Sequence, residues 1–379
     1  MQITPKLPHL TTIFTKMTSL ANQHGAINLA QGFPNFLGSE RLMELVSGFM
    51  HKGMNQYAPM AGVLGLREQI SGKYEGIYGV KYDPETEITV TAGGTQAIYT
   101  AIAALVHTGD EVILFEPAYD CYAPAVVLHG GIPVPVTLSA PDFKIDWDIV
   151  REKINDRTRM IMINTPHNPS GTVLSVADLL ELEKITAGTN IIIVSDEVYE
   201  HIIFDGLQHE SILRHKKLID RSLIIYSFGK TYHNTGWKIG YVLGPKELMR
   251  EFRSIHQYLV FSVNTPIQYA LADFMEDRSE YENINSFYQQ KRDLFLNAIS
   301  SSRFTFTPAA GTYFQLLDYS IITDKNDMEF AEELTINHKV ASIPLSPFYT
   351  SPPNNKVLRF CFAKTESTLL EAAEILCAI

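Results

Sequence analysis

An α/β fold, built on a mostly parallel sheet with helices on both faces, is predicted by three observations. Six short runs rich in isoleucine and valine recur between residues 87 and 228. Helix-like segments lie between several of them, each ending at or near a glycine. The runs are apolar throughout rather than alternating, as strands buried on both faces must be. Strand–helix alternation of this kind implies crossover connections, and these make parallel neighbours.

In order, the strand candidates are EITVT (87–91), EVILFE (111–116), IPVPVTL (132–138), MIMIN (160–164), NIIIVSD (190–196) and SLIIYSF (222–228). TQAIYTAIAALVHTG and SVADLLELEKITAG are the clearest helices between them. The pattern changes after residue 245. Residues 246–300 read mainly as helix, with KELMREFRSIHQYL followed by a charged, aromatic-bearing stretch over 270–299. Then come FTFTPAAGTYFQLLDYS, a helix near 327–338, ASIPLSPFYT, VLRFCFA and a closing helix, which together read as a smaller α+β domain. The expected division is an N-terminal arm (1–40) that joins the small domain and a dimer contact, a large domain (41–280) and a small C-terminal domain (281–379). No internal repeat or low-complexity tract is evident.

The 379 residues are 45% hydrophobic and 19% charged, an ordinary globular composition. A formal net charge of -11 argues against general nucleic-acid binding and against docking on anionic membranes. Three widely spaced cysteines suggest neither a disulfide framework nor a metal cluster and fit a reducing compartment. MQITPKLPHLTTIF lacks the basic-then-apolar layout of a secretory signal, and no apolar run reaches the ~18 residues of a membrane span. A cytoplasmic protein without a metal is expected.

In a doubly wound sheet, ligands bind beyond the carboxyl ends of the strands, so the residues just after each strand are candidates. After EITVT, AGGTQA opens a helix: Gly94, Thr95 and Gln96 form either a tight turn or an anion site at a helix start. Tyr119, in EPAYDCY, is either a core aromatic or a surface on which a planar ligand stacks. Asn168, between two prolines in TPHNPSGTV, marks a rigid turn that could also present an amide donor. Asp196, at the end of NIIIVSD, is either a helix cap or a desolvated carboxylate that requires a cation.

Lys230 lies in SFGKTYHNTGWKIGY (227–241), directly after a buried strand. It could be a surface lysine. A lysine in a partly dry cleft, however, loses its proton readily, and a neutral amine forms a Schiff base with an aldehyde. Ser227, Thr231 and Lys238 stand close enough in sequence to bind an anionic group of the same ligand. Together these residues suit a molecule with a phosphate, a planar ring, a ring oxygen, a protonated ring nitrogen and an aldehyde. Pyridoxal 5'-phosphate (PLP) has all five, and a carboxylate on its ring nitrogen makes the ring an electron sink.

The chain resembles a fold-type I PLP-dependent aminotransferase of classes I and II. The motifs are INLAQGFPNF, NQYAPMAGVLGLRE, TAGGTQA, EPAYDCY, NTPHNPSGTV, SDEVYEH, SFGKTYHNTGWKIGYVLGP, PAAGTYF and LRFCFAK, in that order over nearly the whole length. It is most similar to the branch holding methionine aminotransferase and the kynurenine aminotransferase/glutamine transaminase K enzymes. The resemblance implies that Lys230 is the Schiff-base lysine and proton shuttle. Asp196 would pair with the ring nitrogen, and Asn168 and Tyr199 with the ring oxygen. Tyr119 would stack on the ring, while Gly94, Thr95, Gln96, Ser227 and Lys238 would hold the phosphate. Lys238 is arginine in many relatives; lysine offers a point charge in place of a fork. Tyr57 would reach the phosphate of the other subunit of a homodimer. Arg359, aided by Gly32 and Asn168, would grip the substrate α-carboxylate.

Implied is a ping-pong transamination between an L-amino acid and a 2-oxo acid. The expected side-chain pocket holds Phe33, Phe36, Phe261 and Phe348, with Tyr57 near its rim; it suits methionine or an aromatic or large apolar amino acid. Kynurenine-type relatives often carry histidine where this chain has Ser262, which tilts the expectation to methionine. The alternatives are a kynurenine or glutamine aminotransferase and a cysteine-conjugate β-lyase on the same scaffold. A DNA-binding PLP regulator would need a further module, and a dinucleotide-binding dehydrogenase would need the GxGxxG that is missing.

Overall fold

The computed structural model describes residues 4–7 and 11–379. Parts of the expected N-terminal arm, residues 1–3 and 8–10, lie outside the described residues. Twelve strands occur among those described: β1 (Ile27–Asn28), β2 (Ile88–Thr91), β3 (Glu111–Glu116), β4 (Ile132–Thr137), β5 (Thr158–Asn164), β6 (Ile192–Asp196), β7 (Ser222–Ser227), β8 (Gly240–Leu243), β9 (Phe314–Asp318), β10 (Val340–Ala341), β11 (Ile343–Pro344) and β12 (Val357–Cys361).

Seven of them form the central sheet, in the order β2-β8-β7-β6-β5-β3-β4. All its strand pairs are parallel except those made by β8, which runs antiparallel to both β2 and β7. All six strand candidates of the large domain are present. β8 is not among the strand candidates: its four residues GYVL begin with a glycine and are followed by another, too short an apolar run to stand out. β4 carries Pro133 and Pro135, which cannot donate to a ladder, and it lies at the sheet's edge, where a missing donor costs least.

Successive residues of the inner strands β3, β5, β6 and β7 enter opposite cores. Ile113, Ile161, Ile193 and Ile224 join one buried cluster, while Val112, Met160, Ile192 and Leu223 join the other. Burial on both faces is why the runs look uniformly apolar instead of alternating. The helix Gly94–Leu105 covers the second face with Ala97, Ile98, Ala101 and Ile102.

The C-terminal part holds the antiparallel sheet β11-β12-β9 with the helices Ile284–Ala298, Asp327–Ile336 and Glu366–Cys377. The stretch over 270–299 is helical as expected and is divided among the helices Thr265–Phe274, Ser279–Glu282 and Ile284–Ala298. The Asp277 carboxylate accepts from the Ser279 backbone N–H (3.0 Å) and hydroxyl (2.7 Å), local bonds that compete with a continuous helical ladder. β1 pairs in parallel with β10, so the N-terminal segment that follows the helix Ile13–His24 is stitched to the C-terminal part. Residues 29–33 then run past the carboxyl ends of the central strands, where the cleft opens. Among the described residues no helix is long and apolar enough to cross a membrane.

Candidate active site

One cleft gathers Gly32, Gly94, Thr95, Tyr119, Asn168, Asp196, Tyr199, Ser227, Lys230, Lys238 and Arg359. It lies off the carboxyl ends of β2, β5, β6 and β7, with β12 and the 29–33 segment forming the far wall. The sequence places Gly94, Thr95, Tyr119, Asn168, Asp196, Tyr199, Ser227 and Lys230 at or just beyond strand ends; the tertiary fold carries Gly32 and Arg359 to them.

Lys230 sits on the single-turn helix Phe228–Thr231 that follows β7. Its Nζ donates to the Tyr313 hydroxyl at 2.9 Å, and that hydroxyl donates to the Gly32 carbonyl at 2.7 Å. The ammonium lies 5.4 Å from the ring centres of both Tyr199 and Tyr313. Burial pushes the Lys230 pKa down to about 8; Arg359 and Lys238 act in the same direction, against Cys361 and Asp196. Lys230 is thus poised to exchange a proton near neutral pH, unlike a surface lysine.

Asp196 ends β6, where the chain leaves the core. Its carboxylate accepts from the Tyr122 hydroxyl at 2.6 Å and from the Val198 backbone N–H at 3.3 Å. Burial raises its pKa to about 6, against the pull of those two bonds and of Lys230. No lysine, arginine or histidine among the described residues forms an ion pair with it. It is a buried carboxylate open to a cation.

Asn164, at the end of β5, staples this corner. Its Nδ2 donates to the Asp196 carbonyl (2.8 Å) and its Oδ1 accepts from the Asn168 backbone N–H (2.8 Å). His167 rigidifies the same loop: burial lowers its pKa to about 4, so the neutral ring donates from Nε2 to the Pro117 carbonyl (3.0 Å) and accepts at Nδ1 from Ser170 (2.6 Å). The Asn168 Oδ1 accepts from Arg359 Nη1 at 2.8 Å, which leaves its Nδ2 as the donor facing the cleft.

Arg359 is 1% exposed. Its Nη2 donates to the Ala30 carbonyl (3.2 Å), and its guanidinium lies flat over Phe314, 3.9 Å from the ring centre. Its Nε is buried without a partner, and no carboxylate among the described residues lies within ion-pair distance. A buried guanidinium with free donors and no counterion is a site for an anionic ligand.

At the other end, Gly93 takes φ +83° at the start of the helix Gly94–Leu105. A Cβ there would lie 3.4 Å from Lys238 Cε and 3.5 Å from Nζ, so the ammonium rests directly against the helix start. Free N–H groups of a helix terminus beside a lysine form an anion cradle. Thr95 shares a hydroxyl–hydroxyl bond with Tyr119 at 3.2 Å. The Gln96 side chain turns away from the cleft: its Oε1 accepts from Ala92 N–H (2.8 Å), and its Nε2 bonds Thr100 (2.5 Å) and His256 (3.2 Å).

The aromatic residues are distributed differently from the expected pocket. Phe348 is buried beside Arg359 (5.9 Å) and Phe14 (5.7 Å). Phe33 is 46% exposed and lies under the Lys364 ammonium in a neighbouring groove. Phe36 packs against His233, Phe287 and Tyr288, away from the cleft. Phe261 and Tyr57 face each other at 5.1 Å on the surface, Tyr57 being 81% exposed, and neither lines this chain's cleft. The cleft instead takes its apolar lining from Phe14, Phe314, Ile98 and Val198. Sequence reasoning missed Phe14, Asn164, Tyr122 and Tyr313. The two tyrosines lie inside quoted motifs, EPAYDCY and PAAGTYF, but nothing local marks where their hydroxyls point.

The donor set fits PLP. The cradle of Gly93, Gly94 and Lys238 suits its phosphate, the unpaired Asp196 its ring nitrogen, and the partly deprotonated Lys230 its aldehyde. Among the described residues no group of acidic, histidine and cysteine side chains could hold a metal ion.

Comparison with known proteins agrees with this chemistry. Residues 24–376 match the family model for aminotransferase class I and II. The chain is 52% identical over 371 residues to a methionine aminotransferase of Escherichia coli, covering 97% of this chain and 96% of that one. The crystal structure of YbdL from Escherichia coli, described as having a methionine aminotransferase function, superposes with a TM-score of 0.98 at 51% identity and full coverage of both chains. An N-succinyldiaminopimelate aminotransferase from Mycobacterium tuberculosis superposes with a TM-score of 0.95 at 36% identity, again over the whole of both chains. The protein belongs to the class I and II aminotransferases, fold-type I enzymes that exchange an amino group between amino acids and 2-oxo acids with PLP as cofactor.

Proposed function

We propose that the preferred amino donor is L-methionine or a similar large apolar amino acid. The observation that carries this is the cleft's inventory of cations: Lys230, Lys238 and Arg359 are the only lysines and arginines lining it among the described residues. Two serve the cofactor in this reading and Arg359 takes the α-carboxylate, so none remains for a second, side-chain carboxylate. The lining by Phe14, Phe314, Ile98 and Val198 favours an apolar chain, and a thioether sulfur sits well at ring edges. Extensive identity with a methionine aminotransferase supports the same choice.

The roles follow from position. Gly94, Thr95, Ser227 and Lys238 would hold the phosphate, while Gln96 braces the turn before the helix. Tyr119 would stack on the ring, Asn168 and Tyr199 would meet its oxygen, and Asp196, fixed by Tyr122, would meet its nitrogen. Bound PLP supplies an aldehyde for the amino group and a protonated ring that draws electrons from the substrate Cα. Arg359, Asn168 and Gly32 orient the α-carboxylate, and this fixes the Cα–H bond toward Lys230. Lys230 Nζ then carries the proton away from Cα; its lowered pKa keeps a usable fraction neutral. Phe348 packs behind Arg359 and keeps water from the guanidinium. Phe33, outside the cleft, and Phe261, on the surface, act on substrate only through a closure or a second subunit.

The exposed Tyr57–Phe261 pair supports a homodimer in which Tyr57 reaches the partner's phosphate site. Its test is sedimentation of wild type and Tyr57→Ala, with weaker PLP retention expected in the variant. The donor is tested by the absorption spectrum of PLP-loaded protein before and after L-methionine, without oxo acid. Loss of the visible band with growth of a near-ultraviolet band supports the reading. A band that L-methionine leaves intact while L-glutamate discharges it overturns the donor assignment.

A further inference from the structure

Tyr313 has no part in the roles above, yet among the described residues it makes the single hydrogen bond of the Lys230 amine. Nζ donates to its hydroxyl at 2.9 Å, and the same hydroxyl donates to the Gly32 carbonyl at 2.7 Å. Tyr313 is 0% exposed. Its ring is wedged between Phe314 (4.9 Å), Tyr199 (5.2 Å, perpendicular) and Tyr288 (5.6 Å), so it cannot swing aside. The Gly32 carbonyl is equally constrained. Lys364, itself buried, donates to the carbonyls on either side, Gln31 (3.2 Å) and Phe33 (2.8 Å). A Cβ on Gly32 would lie 2.8 Å from the Phe314 ring, so only glycine fits at this approach.

A phenol has one proton. With that proton committed to Gly32, the oxygen can only accept from Lys230. A neutral amine held by one of its N–H groups keeps its lone pair free; a phenol donating to the amine would occupy that lone pair and quench its basicity.

We propose that Tyr313 is a positioning residue for Lys230: it holds the free amine through an N–H, with the lone pair turned to the cleft, and the Gly32 carbonyl sets the direction of the bond. The inference rests on the transamination reading, in which Lys230 carries the Cα proton. The charged or titratable groups facing Lys230 are Asp196, Cys361, Arg359, Lys238, Tyr199 and Tyr313 itself, and Tyr313→Phe leaves all but the last in place.

The test uses Tyr313→Phe in two forms of the protein. In cofactor-free protein, acylation of Lys230 by acetic anhydride is followed against pH by peptide mass spectrometry. Wild type should show a midpoint near 8. The variant, lacking an acceptor for the ammonium, should show one lower by about one pH unit. In PLP-loaded protein, the single-turnover reaction with L-methionine should slow on the order of 10- to 100-fold. The isotope effect from Cα-deuterated methionine should rise, and KM should hold within about threefold, because Arg359 and Asn168 are untouched and Lys364 still pins the backbone on either side of Gly32. Wild-type midpoint, rate and isotope effect in the variant overturn the proposal while leaving the transaminase reading intact. Wild-type protein that transfers from no amino acid at all overturns both. If Tyr313→Phe does not fold, 3,5-difluorotyrosine placed at 313 keeps the ring and weakens the oxygen as acceptor. It should lower the acylation midpoint and the rate in the same direction, and no change in either overturns the proposal.

Discussion

Replacing Arg359 with methionine separates what the guanidinium does for substrate from what it does for the fold. The side chains are similar in length and both are at home in an apolar setting. In the free protein Arg359 spends Nη1 on Asn168 and Nη2 on Ala30, stacks on Phe314, and leaves Nε unpaired. On the proposed reading, the fork would offer charge-assisted bonds to the substrate carboxylate, each about 1.5–3 kcal/mol. Losing two such bonds should cost roughly 3–5 kcal/mol of transition-state stabilisation, or on the order of 10²- to 10⁴-fold in kcat/KM. The effect on stability should be far smaller. Removing a buried cation without a counterion relieves its desolvation, since exchanging buried ionic groups for apolar ones of like volume is often neutral or stabilising. Against this stand two acceptors that lose a donor, the buried Ala30 carbonyl, at about 1–2 kcal/mol, and the half-buried Asn168 Oδ1, which water from the cleft can satisfy. Unfolding free energy should therefore change by no more than about 2 kcal/mol. The assay pairs urea unfolding of cofactor-free protein with kcat/KM for L-methionine and for 3-(methylthio)propylamine, the same donor without its carboxylate. Arg359→Met should lower the first and leave the second within about threefold. Equal losses on both donors, or destabilisation well beyond the stated bound, would show that Arg359 serves the fold and refute its role in gripping substrate.

Three further outcomes follow from the same geometry. Lys230→Ala should abolish turnover while retaining PLP on the phosphate cradle, measured by equilibrium dialysis with activity assays in parallel; wild-type activity would remove Lys230 from the chemistry. Asp196 has a folded pKa raised from 3.8 to about 6, so the native state favours its protonated form, and the stability this contributes is lost as pH rises through 6. Cofactor-free Asp196→Asn should therefore be more stable than wild type at pH 7 by up to about 3 kcal/mol, with the gap closing toward pH 4, and should bind PLP more weakly; urea titrations across that range check the sign. Gly93→Ala forces a side chain into φ +83° and into contact with Lys238, so stability should fall by about 1–2 kcal/mol and PLP affinity by roughly tenfold, read by dialysis.

Much of this protein was legible in its sequence because the signals are local. A strand buried on both faces must be apolar at every position, which made the inner strands β3, β5, β6 and β7 visible. A residue just beyond such a strand stands at the sheet's carboxyl edge whatever the strand order, and that placed Lys230, Asp196, Asn168 and Thr95 at one rim. The strand order itself, and the antiparallel β8 inside it, depended on which edges meet and left no local mark. Partners far apart in the chain were equally hidden: Tyr122 to Asp196 across 74 residues, Lys230 to Tyr313 across 83, Asn168 to Arg359 across 191, and Tyr313 to Gly32 across 281. Aromatic residues were the hardest to place, because a phenylalanine looks alike in a core, on a surface and in a pocket. Phe33, Phe36 and Phe261 stand outside the cleft while Phe14 lines it, since burial of a ring is decided by the neighbours that tertiary packing brings to it and not by its own flanking sequence.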